Sequence, residues 1–206
     1  MTLYKRKYNN YQQYLDHQRG KLSKKLAYFQ ETSEKRLEGF IKRLRDISPK
    51  IPGNKVLCLA ARLGEEVKAF RELGHSDAIG IDLNPGPDNE YVIEGDFHNI
   101  PFEDGIFDGV YCNCIDHAWD LRKVSIESER VLKPNGILVL DIPFVQPYKK
   151  YNHKYYRKKV KKGSKYEVTL WDSLDDVIGE FKESFEVYDS MPSTTHKIVI
   201  FMQKRP

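Results

Sequence analysis

Short apolar runs alternate with amphipathic stretches along the chain after residue 54. The run Val56–Leu59 follows the turn residues Pro52–Asn54 and is too short for a buried helix, which is typical of a strand covered on both faces. Apolar residues then recur at helical spacing across Leu63–Phe70, with acids in the first turn. A second apolar run, Ala78–Ile81, ends on Asp82. The pattern predicts a strand, a tight turn, a helix and a second strand, which form one βαβ unit of the nucleotide-binding kind.

The same alternation continues to the end of the chain. It predicts strands at Glu90–Ile93, Phe107–Cys112, Ile137–Leu140, Phe185–Tyr188 and Lys197–Met202, and helices at Lys123–Leu132 and Leu170–Phe181, the latter capped by Asp172 or Ser173. A short loop, residues 189–196, separates the last two strands, so we expect them to pair antiparallel at one edge. Strands that alternate with helices predict an α/β fold with a mostly parallel, doubly wound sheet, which binds ligands outside the carboxyl ends of its strands.

Residues 1–48 lack the strand pattern and form a separate region. Their apolar and aromatic residues recur at a broken helical spacing between Lys, Arg, Gln and Glu, which predicts two amphipathic helices at about 9–30 and 33–46. We therefore divide the chain into an N-terminal helical extension or lid, 1–48, and a second domain, 49–206. Two roles stay open for the extension: helices that only pack on the domain, which we prefer, or a cap that closes over the site.

The composition is that of a folded chain without membrane spans. The 206 residues are 40% hydrophobic, enough for one buried domain with an appendage, and no apolar run reaches the roughly 20 residues of a membrane span. The first residues lack the apolar segment of a signal peptide. Cys58 and Cys112 fall in predicted buried strands, which favours reduced thiols, and Cys112 with Cys114 is too close a pair to build a zinc site alone. We expect a cytoplasmic protein without a bound metal, and its oligomeric state stays open.

The net charge of +4 hides two basic segments. Residues 1–45 carry 12 Lys and Arg against 4 Asp and Glu, and residues 145–167 carry 9 against 1. The second segment breaks the alternation of strands and helices and interleaves lysine with tyrosine. Its candidate substrate-binding residues, which would grip phosphates or stack on rings, are Tyr148, Tyr151, Tyr155 and Arg157. The alternative is a solvated loop, or a patch that docks on the acidic remainder of the chain.

Four stretches, in this order, resemble the class I S-adenosylmethionine-dependent methyltransferases, in particular those of type 11. They are VLCLAARLG around the first turn, GIDLN at the end of the second strand, GDFHNIPF after the third and RVLKPNGILVLDIP over the fifth. Each stretch alone is a weak signal, but their common order and spacing are specific. The resemblance covers about residues 55–143, and the final antiparallel pair matches the family's reversed edge strand. It implies a Rossmann-like sheet of seven strands and S-adenosylmethionine as the cofactor.

The resemblance also implies roles for individual residues. Those that would bind the cofactor are Ala60, Ala61, Arg62, Gly64, Asp82, Leu83, Asp96, Phe97 and Asn113. In the family's pattern the turn faces the methionine and the ribose, Asp82 accepts from the ribose hydroxyls, and Asp96 accepts from the adenine amino group. Phe97 would lie at the edge of the adenine ring, and Asn113 would line the side where the methyl group is transferred.

The first stretch departs from the usual pattern of the family. Cys58 stands where an acid is usual, and Ala60 and Arg62 stand where glycines are usual. The missing acid removes a usual partner of the cofactor's ammonium group, for which a backbone carbonyl is one replacement. Arg62 could bind the methionine carboxylate with two hydrogen bonds. The stretch is similar to a variety with a G-A-R-x-G-x-E-V turn, so we interpret it as a variant, and a fold that binds the cofactor without turnover is the alternative.

The loop after the fourth strand supplies candidates for the chemistry. Methyl transfer to an oxygen needs a positioned nucleophile and often a base. His117 in this loop could accept a proton near neutral pH, with Asp116 or Asp120 orienting its ring. A contact to the cofactor or a packing role is the alternative for His117, and His98 is a second-rank candidate.

Together these features predict an O-methyltransferase of a small molecule, a glycan or a nucleotide-sugar, with an anionic acceptor as one option. An RNA or DNA methyltransferase that uses the basic segments is less favoured, because the sequence contains no recognisable nucleic-acid module and no Asn-Pro-Pro-Tyr motif. A non-catalytic protein that binds the cofactor is the second alternative.

Overall fold

The computed structural model of the protein describes residues 3–5, 7–143, 168–171, 173–194 and 197–205. Its helices are α1 (Tyr11–Ser23), α2 (Leu26–Glu31), α3 (Ser33–Leu44), α4 (Glu65–Glu72), α5 (Leu121–Val131) and α6 (Leu174–Phe181). Its strands are β1 (Leu3–Lys5), β2 (Val56–Leu59), β3 (Ile79–Asp82), β4 (Val92–Glu94), β5 (Phe107–Cys112), β6 (Leu132–Pro143), β7 (Thr169–Trp171), β8 (Phe185–Thr194) and β9 (Lys197–Lys204). Short 3-10 helices cover Ser48–Lys50 and Ile115–His117.

The main sheet has the strand order β4–β3–β2–β5–β6–β9–β8. Strands β2 to β6 run parallel, and β9 runs antiparallel to both of its neighbours. The predicted α/β, Rossmann-like, doubly wound sheet of seven strands is confirmed, and its reversed strand β9 lies between β6 and the edge strand β8. The chain order switches between β2 and β5, so the carboxyl ends of these two strands flank the crevice where sheets of this kind bind ligands.

Strand β2 illustrates how the sequence builds this sheet. Its four residues are buried, and its side chains alternate between the two faces. Leu57 and Leu59 join the core that contains residues of α5 and α6, whereas Val56 and Cys58 join the core that contains residues of α3 and α4. A strand covered on both faces is apolar throughout, which is the pattern that predicted it. The cysteines, all buried and unbridged, are Cys58, Cys112 and Cys114.

The C-terminal part of the chain differs from the prediction in two places. Leu170 and Trp171, predicted as the start of a helix, belong to β7, which pairs antiparallel with β1. The helix begins only after Ser173, whose hydroxyl accepts a hydrogen bond from the Asp176 amide. β8 also extends through most of the predicted loop to Thr194, because its residues pair with β9 along the ladder. In both cases a pairing partner distant in the chain overrides the local pattern.

The helix predicted at about 9–30 is two helices. Asn10 caps α1 by accepting from the Gln13 amide, and α2 begins after Lys25, whose φ of −137° leaves the helical region. α3 packs against α4. α1 crosses the carboxyl ends of the strands, where its side chains make hydrogen bonds to the loops after β3, β4 and β5. The extension therefore contacts the predicted site as well as packing on the domain.

Candidate functional site

The turn between β2 and α4 has a left-handed backbone. Ala60, Arg62 and Gly64 have φ angles of 52°, 49° and 85°, a region that costs a non-glycine residue about 1–3 kcal/mol. The turn is tied to the next strand, because the Ala61 amide donates to the Ile81 carbonyl at 3.0 Å. The two residues that replace the family's glycines thus keep the conformation glycine would favour, and the turn still leads into the N-terminus of a helix, where a ligand can approach the backbone.

Asp82 lies at the end of β3 and closes this turn. Its Oδ2 accepts from the Arg62 amide at 3.0 Å, and its Oδ1 accepts from the Asn84 amide at 2.8 Å. Burial raises the pKa of Asp82, although these hydrogen bonds favour the ionised form. A carboxylate oxygen can accept more than one hydrogen bond, so Asp82 retains acceptor capacity toward the crevice. The carbonyl of the adjacent Leu83 accepts from Arg19 Nε of α1 at 3.4 Å.

Asp96 follows β4 and is bound by the N-terminal extension. Its Oδ2 accepts a hydrogen bond from the Tyr11 hydroxyl, and its Oδ1 lies 2.9 Å from His98 Nδ1. Burial by itself would raise the pKa of Asp96, but the hydrogen bonds from His98 and Tyr11 outweigh it and lower the pKa. Phe97 is buried and stacks on His98, with ring centroids 4.7 Å apart. The predicted adenine-side acid is therefore an ionised acceptor that already has a partner on α1.

Aromatic side chains of the extension pack over the same side. Tyr14 lies against Trp119, Tyr8 stacks on Trp119 and Tyr11 stacks on Tyr14, with ring centroids 5.5, 5.7 and 5.3 Å apart. Between α1 and the strand ends lies a cavity of about 40 Å³, which we call the small cavity. Pockets for small ligands usually measure about 300–1,000 Å³. The residues that line the small cavity include Tyr14, Lys21, Asp82, Leu83 and Phe97.

A second cavity, of about 390 Å³, adjoins the first, and we call it the large cavity. Its basic lining residues are Arg36, Arg43, Arg62 and Lys197, and its acidic ones are Glu66 and Asp116. The residues common to both cavities are Ala60, Arg62, Cys114 and His117. The two spaces therefore meet at the turn after β2 and at the loop after β5, and the large one has the size of a ligand pocket.

Two arginines of the large cavity are paired with buried acids. Arg43 Nη1 donates to Asp141 Oδ2 at 3.0 Å, and the Tyr111 hydroxyl donates to the same oxygen at 2.8 Å. Arg36 Nε lies 3.4 Å from Glu65. Removing one member of a buried ion pair is far more costly than the net value of the pair, so these contacts fix the basic groups in place on α3.

Glu66 and Asn113 meet at the wall of the large cavity. Asn113 Nδ2 donates to Glu66 Oε1 at 3.5 Å, and Glu66 is only 4% exposed. Burial raises the pKa of Glu66 to about 7, against the opposing influence of Arg62 and Arg36. The side chain can therefore gain or lose its charge near neutral pH.

His117 lies where the two cavities meet. Its Nε2 is 3.1 Å from Nζ of Lys21 on α1, whereas Asp116 Oδ2 is 4.0 Å away, beyond hydrogen-bonding distance. Burial and then the Arg62 charge lower the pKa of Lys21. The Asp120 side chain caps α5 by accepting from a backbone amide at 3.1 Å. Lys21, rather than Asp120, is thus a close partner of the predicted base.

The structure brings the predicted cofactor residues to one edge of the sheet and adds residues that sequence reasoning missed. Tyr11 and Lys21 carry no local signal, because their partners lie 87 and 96 residues away in the chain. Glu66 has a signal in the G-x-E-V end of the first stretch, which by itself predicts only a helix start. The predicted substrate residues Tyr148, Tyr151, Tyr155 and Arg157 lie outside the described residues.

This sheet order, with acids at the ends of β3 and β4 and a left-handed turn after β2, is that of a class I methyltransferase domain. Residues 57–140 match the family described as "Methyltransferase domain". The resemblance to the class I S-adenosylmethionine-dependent methyltransferases is thereby confirmed for residues 57–140.

Plant and fungal enzymes are among the curated relatives. The chain is similar to 24-methylenesterol C-methyltransferase 2 of Oryza sativa subsp. japonica, with 31% identity over 112 residues that cover 47% of this chain and 31% of the relative. Sterol 24-C-methyltransferase erg6 of Schizosaccharomyces pombe is 32% identical over 101 residues, which cover 42% of this chain and 27% of the relative. The matched part thus spans less than a third of each relative.

Solved structures share the fold. A Pyrococcus horikoshii protein superposes with a TM-score of 0.63 at 19% identity, covering 80% of this chain and 89% of that one. A geranyl diphosphate methyltransferase in complex with S-adenosylmethionine gives a TM-score of 0.62 at 13% identity, covering 82% of this chain and 84% of that one. Within the described ranges, no helix is both long and apolar enough to cross a membrane.

The chemistry of the site fits the cofactor of this family. Asp82 offers acceptors for hydroxyl groups, Asp96 is an ionised acceptor, and the large cavity presents both arginines and a carboxylate to an amino-acid group. The small cavity, which Tyr14, Gln18, Lys21 and Leu22 of α1 help to line, measures only about 40 Å³. The groups present suit the cofactor, and an adenosine moiety would require the α1 side chains to shift.

Proposed function

We propose that this protein is an S-adenosylmethionine-dependent methyltransferase that acts on a small polar molecule entering through the large cavity. The observation that carries the proposal is the junction of the two cavities at the turn after β2 and at His117. A cofactor held along the turn would reach the large cavity at this junction, where an acceptor and a base can also be placed.

Each part of the cofactor would be bound by a different residue among those predicted from the family pattern. Asp82 would accept from the ribose hydroxyls, and Asp96, next to Phe97, would accept from adenine. Arg62 would bind the methionine carboxylate, because it belongs to the lining of both cavities and a guanidinium can pair with a carboxylate through two hydrogen bonds. When bound, the cofactor would supply an electrophilic methyl group on sulfur, and the protein would supply position and proton transfer.

The lining of the large cavity favours a polar acceptor with negative charge. Arg43 and Lys197 lie at this wall together with Arg36, and basic groups held in place recognise carboxylates and phosphates. The curated relatives named above act, by their names, on sterol carbon. Their similarity ends well short of their full length, and a wall of charged groups would be costly to cover with a sterol.

Oxygen is the acceptor atom that the site chemistry favours. A hydroxyl acceptor must lose a proton, and the pair formed by His117 and Lys21 offers a base at the cavity junction. A carbon acceptor of the kind named for the relatives presents no hydroxyl proton for His117 to accept, so the acceptor atom and the role of His117 are tested together.

Residues 1–48 act in this proposal as a lid over the site. Tyr11 reaches Asp96, Lys21 reaches His117 and Arg19 reaches Leu83, so α1 touches the loops after three strands. A helix pair that only packed on the domain would not need polar contacts to the predicted cofactor residues.

Calorimetry and a transfer assay test the proposal. The protein should bind S-adenosylhomocysteine, and it should transfer labelled methyl groups from S-adenosylmethionine to members of a panel of small hydroxylated carboxylates and phosphates. No binding at millimolar ligand would overturn the cofactor assignment. Transfer only to a 24-methylenesterol or only to mixed-sequence RNA would overturn the polar acceptor, and binding without transfer to any acceptor would indicate a non-catalytic partner.

A further inference from the structure

The large cavity contains an acidic side chain that the roles above leave unused. Glu66 lies in the first turn of α4, just after the left-handed Gly64. It lines the large cavity and accepts a hydrogen bond from Asn113. A carboxylate at 4% exposure is costly to keep ionised without a cationic partner, so its position calls for a functional reason.

The position that usually carries an acid in this family offers no charge to a ligand. Cys58 is fully buried, faces the core shared with α3 and α4, and is absent from the linings of both described cavities. Burial raises the pKa of the Cys58 thiol well above its ordinary value, so the thiol is uncharged. A cationic group bound along the turn must find its anion elsewhere.

The charges of the large cavity match the two ends of a zwitterion. An α-amino acid group needs an anion for its ammonium and a cation for its carboxylate. Glu66 supplies a carboxylate, and Arg62 and Arg36 supply guanidinium groups in the same lining. All three belong to the wall formed by α3, the turn and the start of α4, next to the residues expected to face the methionine.

We propose that Glu66 binds the ammonium group at the methionine end of the cofactor and thereby replaces the acid missing at position 58. The inference rests on the proposed function, since it takes S-adenosylmethionine as the ligand of the turn. Asn113 orients the carboxylate through its amide, and Arg62 remains for the cofactor's carboxylate. Glu66 is in this role a cofactor-binding residue that the usual family pattern does not contain.

Two other acids near the cavity are less suited to this role. Glu65 is 1% exposed, pairs with Arg36 of α3 and does not belong to the cavity lining. Asp116 precedes His117 in the loop after β5, within 4.0 Å of its ring, on the side assigned to the acceptor. Glu66 is the acid of the lining that adjoins the turn itself.

The pH dependence of binding gives a second readout. The groups that face Glu66 are Arg62 from the turn, Arg36 from α3, Glu65 from α4, Cys58 from β2 and Tyr111 from β5. Burial raises the pKa of Glu66 to about 7, and an ammonium group binds the ionised carboxylate. Affinity for S-adenosylhomocysteine should therefore rise by up to about tenfold between about pH 6 and about pH 8, and this rise should be absent when Gln replaces Glu66.

A pair of ligands isolates the ammonium contact. S-adenosylhomocysteine carries the amino-acid group, whereas 5′-methylthioadenosine keeps the adenosine and lacks it. By calorimetry on the full chain, Glu66→Gln should weaken S-adenosylhomocysteine about tenfold to a hundredfold, as expected for a hydrogen bond between charged groups. The affinity for 5′-methylthioadenosine should stay within about twofold of the wild type. Glu65→Gln is the matched control and should leave the ratio of the two affinities unchanged.

The outcomes separate this inference from the proposed function. If the wild type binds S-adenosylhomocysteine and Glu66→Gln binds it equally well, the assignment of Glu66 is overturned and the cofactor site stands. Equal weakening of both ligands would also overturn it, because a general structural role would explain the loss. If the wild type binds neither ligand, the proposed function itself fails. Gln has nearly the shape of a protonated Glu, so the variant should fold, and its thermal unfolding provides the check.

Discussion

The two cavities beside the β2–α4 turn are bounded by different helices of the N-terminal extension, since α1 lines the small cavity and α3 lines the large one. The lining of the small cavity includes Tyr14 of α1, which packs against the rings of Trp119 and His98. The large cavity is bounded by arginines and acids. On the first side the Tyr11 hydroxyl of α1 binds the predicted cofactor acid Asp96, and on the second Arg36 and Arg43 of α3 lie at the cavity wall. The turn after β2 thus lies between a side contacted by α1 and a side contacted by α3.

The cost of burial explains this difference. Neutral aromatic residues can close a space without an ionic partner, so the lid can fill the adenine side. Charged groups must stay paired or hydrated, and the two arginines of α3 at the large cavity pair with the acids Asp141 and Glu65. We expect variants on the two sides to respond differently to ligands that differ only in the amino-acid group.

The largest effect should come from the residue at the junction. His117→Ala should lower turnover by about a hundredfold or more, because a positioned general base contributes about 10²–10⁴-fold. Affinity for S-adenosylhomocysteine should change by less than about threefold. Steady-state rates and calorimetry measure the two effects. A variant with full turnover would exclude a base role, and a parallel loss of affinity would show that His117 contributes to cofactor binding instead.

Glu66→Gln should stabilise the fold at neutral and alkaline pH. The pKa of Glu66 is raised from its ordinary 4.5 to about 7 in the folded protein, so the folded state holds the proton more tightly than the unfolded state. Stability is therefore lost as pH rises from about 4.5 to about 7, by about 3 kcal/mol in total. Urea unfolding at about pH 5 and about pH 8 should show the variant gaining only at the higher pH. An equal gain in the free energy of unfolding at both pH values would refute the raised pKa of Glu66.

Asp82→Asn should weaken both adenosine ligands by about tenfold, because an uncharged acceptor replaces the carboxylate at the ribose that both ligands contain. Asn is chosen over Ala because Asp82 also accepts the Arg62 and Asn84 amides, and Asn keeps one side-chain oxygen for them. Comparison with Glu66→Gln sharpens the contrast between the two sides. Loss of S-adenosylhomocysteine binding alone would place Asp82 on the amino-acid side.

The smallest effect should come from the lid. Tyr11→Phe removes the hydroxyl that binds Asp96, which frees this acceptor for adenine and should tighten both ligands by about three- to fivefold, in line with the net value of one hydrogen bond. Tyr28→Phe is the control, since Tyr28 is exposed on α2. Weaker binding by Tyr11→Phe would mean that the hydroxyl helps to hold the cofactor instead of competing with it.

Local pattern was sufficient for most of the fold. The strand at Phe107–Cys112 has the predicted bounds, and the Val56–Leu59 strand and the helix from Glu65 begin where apolar spacing indicated. The prediction failed where a distant partner decides, as at Trp171, which pairs with Leu3 across the chain. A strand of three residues has too few positions to establish an alternation, so the local pattern predicts the start of a helix where β7 lies.

The site likewise has features that local sequence predicts and features that depend on distant partners. Asp82 and Asp96 were placed from sequence because acids that follow short strands collect at the carboxyl edge of a parallel sheet. The environment of each acid was not predictable, since the Tyr11 bond to Asp96 joins residues 85 apart. The contact of Lys21 with His117 likewise depends on where α1 lies. The amphipathic pattern of α1 does not decide whether this helix only packs on the domain or covers the site.

By itself, the sequence determined the order of the strands of the main sheet, the turn after β2 and the acids at the strand ends, because these follow from the spacing of apolar residues and turn residues along short segments. Only the tertiary structure decided that α1 lies over the strand ends, that Glu66 lines the cavity beside Arg62, and that α1 lines the small cavity while α3 lines the large one. Such contacts join parts of the chain far apart in sequence, and their energies depend on burial and partners that no local pattern encodes.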